Sequence, residues 1–188
     1  MSTTDTKQTI LDTARATVQA HGYNALSFRE LAKEVGIKSA SIHYHFPTKG
    51  DLAAALAKQY AEDARIYLEG LLSASEGLQS RMKAYTDIFR ATLQRDNRMC
   101  LYGIMAAERD DLPAAVRAEV DRFVEVNLRW LTDVLASGKS DSSTKSAQAN
   151  ALAVFAAIEG AQLVARGRND IAVYDEAIEA YQAIGLIP

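Results

Sequence analysis

The chain has 188 residues, 48% of them hydrophobic and 24% charged, with a formal net charge of -3 and a single cysteine. That length and apolar fraction allow a sizeable core and exclude a disordered or fibrous chain. No apolar run approaches the roughly 18 residues of a membrane span, and the N-terminus MSTTDTKQT has no apolar signal region, so a cytoplasmic location is expected.

Charge is unevenly spread. Residues 1–60 hold seven Lys or Arg against five Asp or Glu, together with all three His, whereas the remainder holds fourteen against nineteen. The basic end is therefore the candidate partner of an anionic polymer, with few phosphate contacts per subunit. Three prolines and little alternation leave no strand pattern, and apolar residues recur at three and four, the helical spacing.

Ile10, Leu11, Ala14 and Val18 predict a first helix from about Thr6 to Ala20, closed by Gly22. Ser27 with Glu30 three residues later reads as a capping box, and Leu26 with Leu31 as a hydrophobic staple. A second helix thus starts at Phe28, faces inward with Leu31, Ala32 and Val35, and ends at Gly36 in a left-handed cap. After a short turn a third helix runs from about Ser39 to Phe46. Ile42 and Phe46 point inward, and Pro47 stops it. Its outer face, Lys38, Ser39, Ser41, His43, Tyr44 and His45, carries hydrogen-bonding groups and no acid. Two short helices joined by a Gly turn, the second presenting such a face, form a helix-turn-helix suited to the major groove.

These first sixty or so residues resemble the DNA-binding domain of the TetR (tetracycline-repressor) family. The resemblance runs through Ile10-Leu11, Ala14, Gly22-Tyr23, Ser27, Leu31-Ala32, Val35-Gly36-Ile37, Ser41-Ile42, Tyr44 to Lys49 and Leu52. His43 stands where the family more often has Tyr, and Lys38 where it more often has Ser, departures that bear on the operator sequence. The resemblance implies an all-α chain of about nine helices. An N-terminal three-helix helix-turn-helix domain over 1–50 would precede a C-terminal helical ligand-binding and dimerisation domain over 51–188. The candidate DNA-binding residues are Ser27, Arg29, Lys38, Ser39, Ala40, Ser41, His43, Tyr44, His45 and Lys49, with Tyr44 and Lys49 as phosphate contacts.

Thr48 and Asp51 open a long fourth helix with the inner stripe Leu52, Leu56, Tyr60, Ala64, Tyr67, Leu68 and Leu71, ended by Gly70 and the Ser73 to Gly77 stretch. Met82, Tyr85, Ile88, Phe89 and Leu93 define a fifth, from about Leu78. The polar run Gln94 to Arg98 breaks it, and a short sixth follows over Met99 to Ala107. Asp96 or Asn97 would cap the sixth, placing Cys100 in its first turn, where a helix dipole favours a thiolate. The segment Met99 to Glu108 also resembles a TetR subgroup in which a cysteine is associated with electrophile or oxidant sensing. The alternative is a small buried hydrophobe. Glu108, Asp110 and Asp111 read as a solvated loop, with Asp111 as a cap and Pro113 favoured at the first position of a seventh helix, which carries Val116, Val120, Phe123, Val124, Trp130, Leu131 and Val134. Ala136 to Ser146 reads as an exposed, flexible loop. An eighth helix, Ala147 to Arg166, is apolar on most sides, and a ninth runs from about Val173 to Ile184.

Met82, Tyr85, Phe89, Cys100, Ile104, Met105, Phe123 and Trp130 are the candidate ligand pocket, at the place where TetR-like proteins keep one; singly each also fits a core. The last two helices are expected to pair with their copies in a homodimer through Ala153, Ala157, Gly160, Ala161, Ile178 and Tyr181, the small residues permitting close approach. His43 and His45, at i and i+2, do not share a helix face, so no metal is expected. No catalytic arrangement, phosphate loop or cofactor motif is present. A protein-only interaction module is the competing class, but it would not need the donor surface of Lys38 to His45. The sequence therefore reads as a ligand-responsive transcriptional regulator, most simply a repressor. It would bind a palindromic operator in double-stranded DNA, answer to a small-molecule or electrophile inducer, and need no membrane.

Overall fold

The computed structural model describes residues 3–74, 77–137 and 144–188. Among these are nine α-helices, one 3-10 turn over Arg109–Asp111, and no strand. The helices are α1 Thr3–His21, α2 Phe28–Val35, α3 Ser39–His45, α4 Lys49–Ser73, α5 Leu78–Gln94, α6 Leu101–Ala107, α7 Ala114–Ser137, α8 Thr144–Arg168 and α9 Ala172–Ala183. The packing forms two compact units, Met1–Ala61 with Leu101–Phe123, and Glu62–Cys100 with Val124–Pro188. Helices α4 and α7 contribute residues to both.

The first unit closes around an apolar core. Ile10, Ala14 and Val18 of α1, Leu31 of α2, Ile42 of α3, Leu52 and Leu56 of α4, Leu101 and Met105 of α6, and Val116 and Val120 of α7 meet there. Each helix thus buries the stripe that its 3.6-residue period predicts. Gly36 ends α2 with φ of 75°, and its N–H returns to the Ala32 and Lys33 carbonyls. Without a side chain it adopts this conformation freely.

A reciprocal capping box forms at the start of α4 and not at α2. Ser27 occupies the N-cap position of α2 but makes no side-chain cap hydrogen bond, and the Glu30 side chain that would reach back to it accepts from Lys33 instead, at 3.0 Å. Thr48 and Asp51 form the reciprocal pair instead. The Thr48 N–H and Oγ1 donate to Asp51 Oδ2 at 3.0 and 2.7 Å, and the Asp51 N–H donates to Thr48 Oγ1 at 3.1 Å. On α4 the buried stripe includes Ala53, Ala57 and Ala61, whereas Tyr67 is exposed. Gly70 lies inside the helix.

In the second unit Met82, Tyr85, Leu131, Ile158 and Tyr174 are fully buried. Polar pairs run among them. The Tyr85 hydroxyl donates to Asn127 Oδ1 at 2.9 Å, and the Tyr174 hydroxyl to the Thr86 carbonyl at 2.8 Å. Gln162 joins α8 to two neighbours, accepting the Cys100 N–H and donating to the Phe89 carbonyl, both at 2.8 Å.

The sixth helix begins later than its apolar pattern suggests. Asp96 and Asn97 have φ of 57° and 54°, outside the extended conformation of an N-cap, and Asn97 Nδ2 donates to the Arg166 carbonyl at 3.0 Å. With its N–H taken by Gln162, Cys100 precedes α6 and does not sit in its first turn. Asp111 likewise caps no helix; it accepts a hydrogen bond from Asn24. Residues 138–143 of the expected loop lie outside the described residues, between the end of α7 and the start of α8.

Candidate nucleic-acid interface

Helix α3 owes its position to two inward residues, Ile42 and Phe46, both buried. Their spacing turns the opposite face outward. Lys38, Ser39, Ala40, His43 and Tyr44 are exposed, with Ser41 and His45 half-buried. Tyr44, 77% exposed, is an aromatic ring held out in solvent with no core role. The helix contains no acidic residue, so nothing on it repels a phosphate.

Three residues of the expected set are more engaged than the sequence indicated. His43 packs edge-on against Phe28 at 4.8 Å between ring centroids, and its Nδ1 lies 3.3 Å from the Pro47 carbonyl oxygen. Arg29 is exposed beside Glu30, at 3.4 Å. Lys49, at the start of α4, donates to the Asn24 carbonyl at 3.2 Å and lies 4.3 Å from the centre of the Tyr23 ring. Burial holds its pKa below the usual lysine value, against the pull of Glu108 and Asp111. Ser27 is half-buried at the entrance to α2.

Glu108 was expected in a solvated loop, yet its carboxylate accepts the N–H groups of Tyr23 and Asn24. The turn between α1 and α2 exposes these donors just past a helix end, and a single carboxylate satisfies both. A glutamate 85 residues from its partner carries no sequence signal beyond its own identity.

The candidate pocket residues are divided between the two units. Met82, Tyr85, Phe89, Cys100 and Trp130 belong to the second unit, and Ile104, Met105 and Phe123 to the first. In the second unit the Tyr85 and Trp130 rings stack at 5.0 Å, and Tyr85 meets Phe89 edge-on at 5.4 Å. Among the described residues of that unit, Arg98 Nε, Trp130 Nε1 and the carboxylate oxygens of Glu159 are buried without a hydrogen bond of good geometry. The weak thiol donor of Cys100 is set against Glu159, but burial dominates and pushes its pKa up to about 7. The same unit has an open cleft of about 750 Å³ lined by Lys83, Asp87, Arg90, Tyr174, Asp175 and Glu179 among others, which the sequence did not suggest. In the first unit Phe123 stacks on Tyr60 and Tyr102 at 5.0 and 5.7 Å. Beside them is a void of only about 10 Å³.

Of the expected interface residues, Ala161 and Ile178 are buried within the chain itself, each on the inward stripe of its helix. Ala153 is exposed, and Ala157, Gly160 and Tyr181 are half-buried. Leu152, Leu163 and Val164 of α8 are more than half exposed, an apolar surface that the periodicity of a uniformly apolar helix could not single out.

A recognition helix with an exposed, acid-free face, held by a packed three-helix head, defines a helix-turn-helix DNA-binding protein. Among the described residues no helix is long and apolar enough to cross a membrane, and no group of three or more His, Cys, Asp or Glu could hold a metal ion.

Residues 10–56 match the family described as bacterial regulatory proteins, tetR family. A TetR transcriptional regulator from Legionella pneumophila is 30% identical, with a TM-score of 0.88 over 95% of this chain and 96% of that one. A TetR family regulator from Agrobacterium tumefaciens is 31% identical, with a TM-score of 0.85 over 94% and 95%. Among curated proteins, the HTH-type transcriptional regulator LmrA of Bacillus subtilis (strain 168) is 30% identical over 113 residues, 57% of this chain and 59% of LmrA. The chain belongs to the TetR family. Members of this family are DNA-binding transcriptional regulators, usually repressors and typically dimers, and are not enzymes.

Proposed function

We propose that the chain is a homodimeric repressor that holds a palindromic operator through α3 and is released from it by a small-molecule inducer. The exposed, acid-free face of α3 carries the reading. Residues 1–50 supply the DNA contacts: Ser39, Ala40, Ser41 and His43 face the base edges, and Arg29, Lys38, Tyr44 and Lys49 the phosphates, with Ser27 and His45 at the margin. Two such helices must stand about 34 to 36 Å apart to enter successive major grooves.

Dimerisation through α8 and α9 is supported by the exposed Leu152, Leu163 and Val164, and by the open space beside Gly160, where an added Cβ meets no atom within 4 Å. Gly160→Trp is therefore expected to obstruct the partner, with circular dichroism checking that the single chain keeps its helices. Sedimentation of that variant as an unchanged dimer would remove α8 from the interface.

The inducer belongs with the stacked Tyr85 and Trp130 and the unsatisfied Trp130 Nε1 and Glu159 carboxylate, polar atoms that a ligand can pair. Its binding must favour one of two states of α4 to move the head. A bound molecule is favoured over an adduct because Cys100 is only 2% exposed, and reactive thiols are accessible. Treating wild type and Cys100→Ser with a thiol-reactive electrophile tests this. Operator release by wild type alone reverses the choice.

The experiment for the whole reading is selection of bound duplexes from a random DNA pool, followed by titration of the selected sequence. Recovery of a palindrome, weakened alike with every DNA by Lys49→Ala and with a salt slope lower by about one, is the expected result. Failure to enrich any sequence counts against operator recognition.

A further inference from the structure

Glu108 directly follows α6, yet its carboxylate lies under the turn between α1 and α2. Oε2 accepts the Tyr23 N–H at 2.5 Å and Oε1 the Asn24 N–H at 3.3 Å. Gly22 makes room for it. With φ of 88° and no side chain, it leaves open a place where a Cβ would come within 2.7 Å of both carboxylate oxygens. Asp111 fixes the same turn from a second side, accepting Asn24 Nδ2 at 2.7 Å. From a third side comes Lys49, the first residue of α4, whose Nζ donates to the Asn24 carbonyl and lies over the Tyr23 ring. Amide, carbonyl and ring of one short turn are therefore shared between the connection that follows α6 and the cation that follows the recognition helix.

We propose that Glu108 is a positioning residue for DNA binding: it fixes the turn at Tyr23 and Asn24 and, through that turn, the seat of Lys49. The inference rests on the reading of Lys49 as a phosphate contact. Charge-assisted bonds to two neighbouring amides define an orientation that a single neutral bond does not. When that acceptor is lost the turn is free to shift, and the Asn24 carbonyl and Tyr23 ring that hold Lys49 shift with it. The effect of Glu108 on DNA then passes through Lys49 and vanishes when Lys49 is absent.

A double-mutant cycle on the full chain reads this directly, using a duplex selected by the wild type. Glu108→Gln is expected to lower affinity about tenfold in the wild-type background and by less than about twofold in Lys49→Ala, since coupled residues are not additive. The Tyr23 and Asn24 amides should exchange with solvent faster, while circular dichroism retains the helical signal. Gly22→Ala, which displaces the carboxylate without removing it, should reproduce the loss and serves if Glu108→Gln does not fold. Equal losses in both backgrounds, or unchanged affinity with the amides exposed, would overturn the proposal. No effect of Lys49→Ala alone overturns the phosphate reading beneath it, and the route through Lys49 with it, a result distinct from additivity.

Discussion

In the unit formed by residues 1–61 and 101–123 the described buried residues are apolar apart from Gln19, and one carboxylate oxygen of Glu119 is buried beside them. The other unit encloses Thr86, Asn127 and Gln162, together with the carboxylate of Glu159. The first is specified by shape, since Ile10, Leu31, Ile42 and Leu52 interlock without a polar atom to pair. The second is specified by pairing, because each buried amide or hydroxyl must find its partner. Such a core is also responsive. Where Glu159 and Trp130 Nε1 remain unsatisfied, a proton or a ligand changes the energy of the folded state, and no comparable handle is buried among Ile10, Ile42 and Leu52. A DNA-reading head benefits from fixed geometry, and the effector core proposed for the second unit would benefit from one whose energy depends on what it holds.

The comparison breaks most visibly through cavities in the first unit. Leu52 is fully buried, and Leu52→Ala is expected to cost about 4 kcal/mol, the transfer term plus an unfilled void. Urea unfolding should give the same loss at pH 5 and pH 8, since no titrating group touches this cost. In the second unit Gln162→Leu removes little volume but leaves the Cys100 N–H and Phe89 carbonyl without their partner. About 3 kcal/mol is expected from two orphaned buried groups. A loss below about 1 kcal/mol would mean that water reaches both groups and that pairing does not specify this core.

The legible and illegible parts of the chain divide along the same line. Helices α1 to α4 could be read because their apolar residues repeat at helical spacing and their ends carry local signals, Gly22, Gly36, Pro47 and the Thr48 and Asp51 pair. Local chemistry misled at Ser27, where Glu30 had a nearer charged partner in Lys33, and at Asp96 and Asn97, whose left-handed backbone depends on distant contacts such as Asn97 with Arg166. Partners far apart in sequence were invisible. Glu108 beneath Tyr23, Gln162 between Phe89 and Cys100, and Arg90 with Asp175 are set by tertiary packing, which no periodicity encodes. On α8 the helical period placed Ala161 with the small residues of an interface, yet only the fold separates the inward Ala161 from the outward Leu163 and Val164.

A smaller effect sharpens the contrast through pH. Burial raises the Glu159 pKa from 4.5 to about 7, so between those values the folded chain holds a proton that the unfolded chain has released. Stability from this group is fully present below about pH 4.5 and falls as pH rises towards about 7, by about 2 kcal/mol in order of magnitude. Glu159→Gln should flatten that slope. Denaturant titrations at pH 5 and pH 8 check it, and an equal slope in both proteins would show that Glu159 is hydrated.

The smallest expected effect has the opposite sign in the same unit. Arg90 grips Asp175 with two nearly parallel bonds, Nε to Oδ1 at 2.7 Å and Nη2 to Oδ2 at 2.8 Å, joining α5 to α9. The hydrogen bond from Arg90, ahead of the cost of partial burial, holds the Asp175 pKa below 3.8. A depressed acid contributes stability above its unfolded value and loses it as pH falls through the folded one, so this pair strengthens the chain with rising pH where Glu159 weakens it. Both side chains are about one-third exposed, and solvent screening limits the pair to less than about 1 kcal/mol. Arg90→Met should therefore lower the urea midpoint slightly at pH 7 in low salt and not measurably in 1 M salt, where the Debye length falls to about 3 Å. A loss that persisted in high salt would mean that the arginine stem packs against α9, making Arg90 part of the shape of this core and not of its charge.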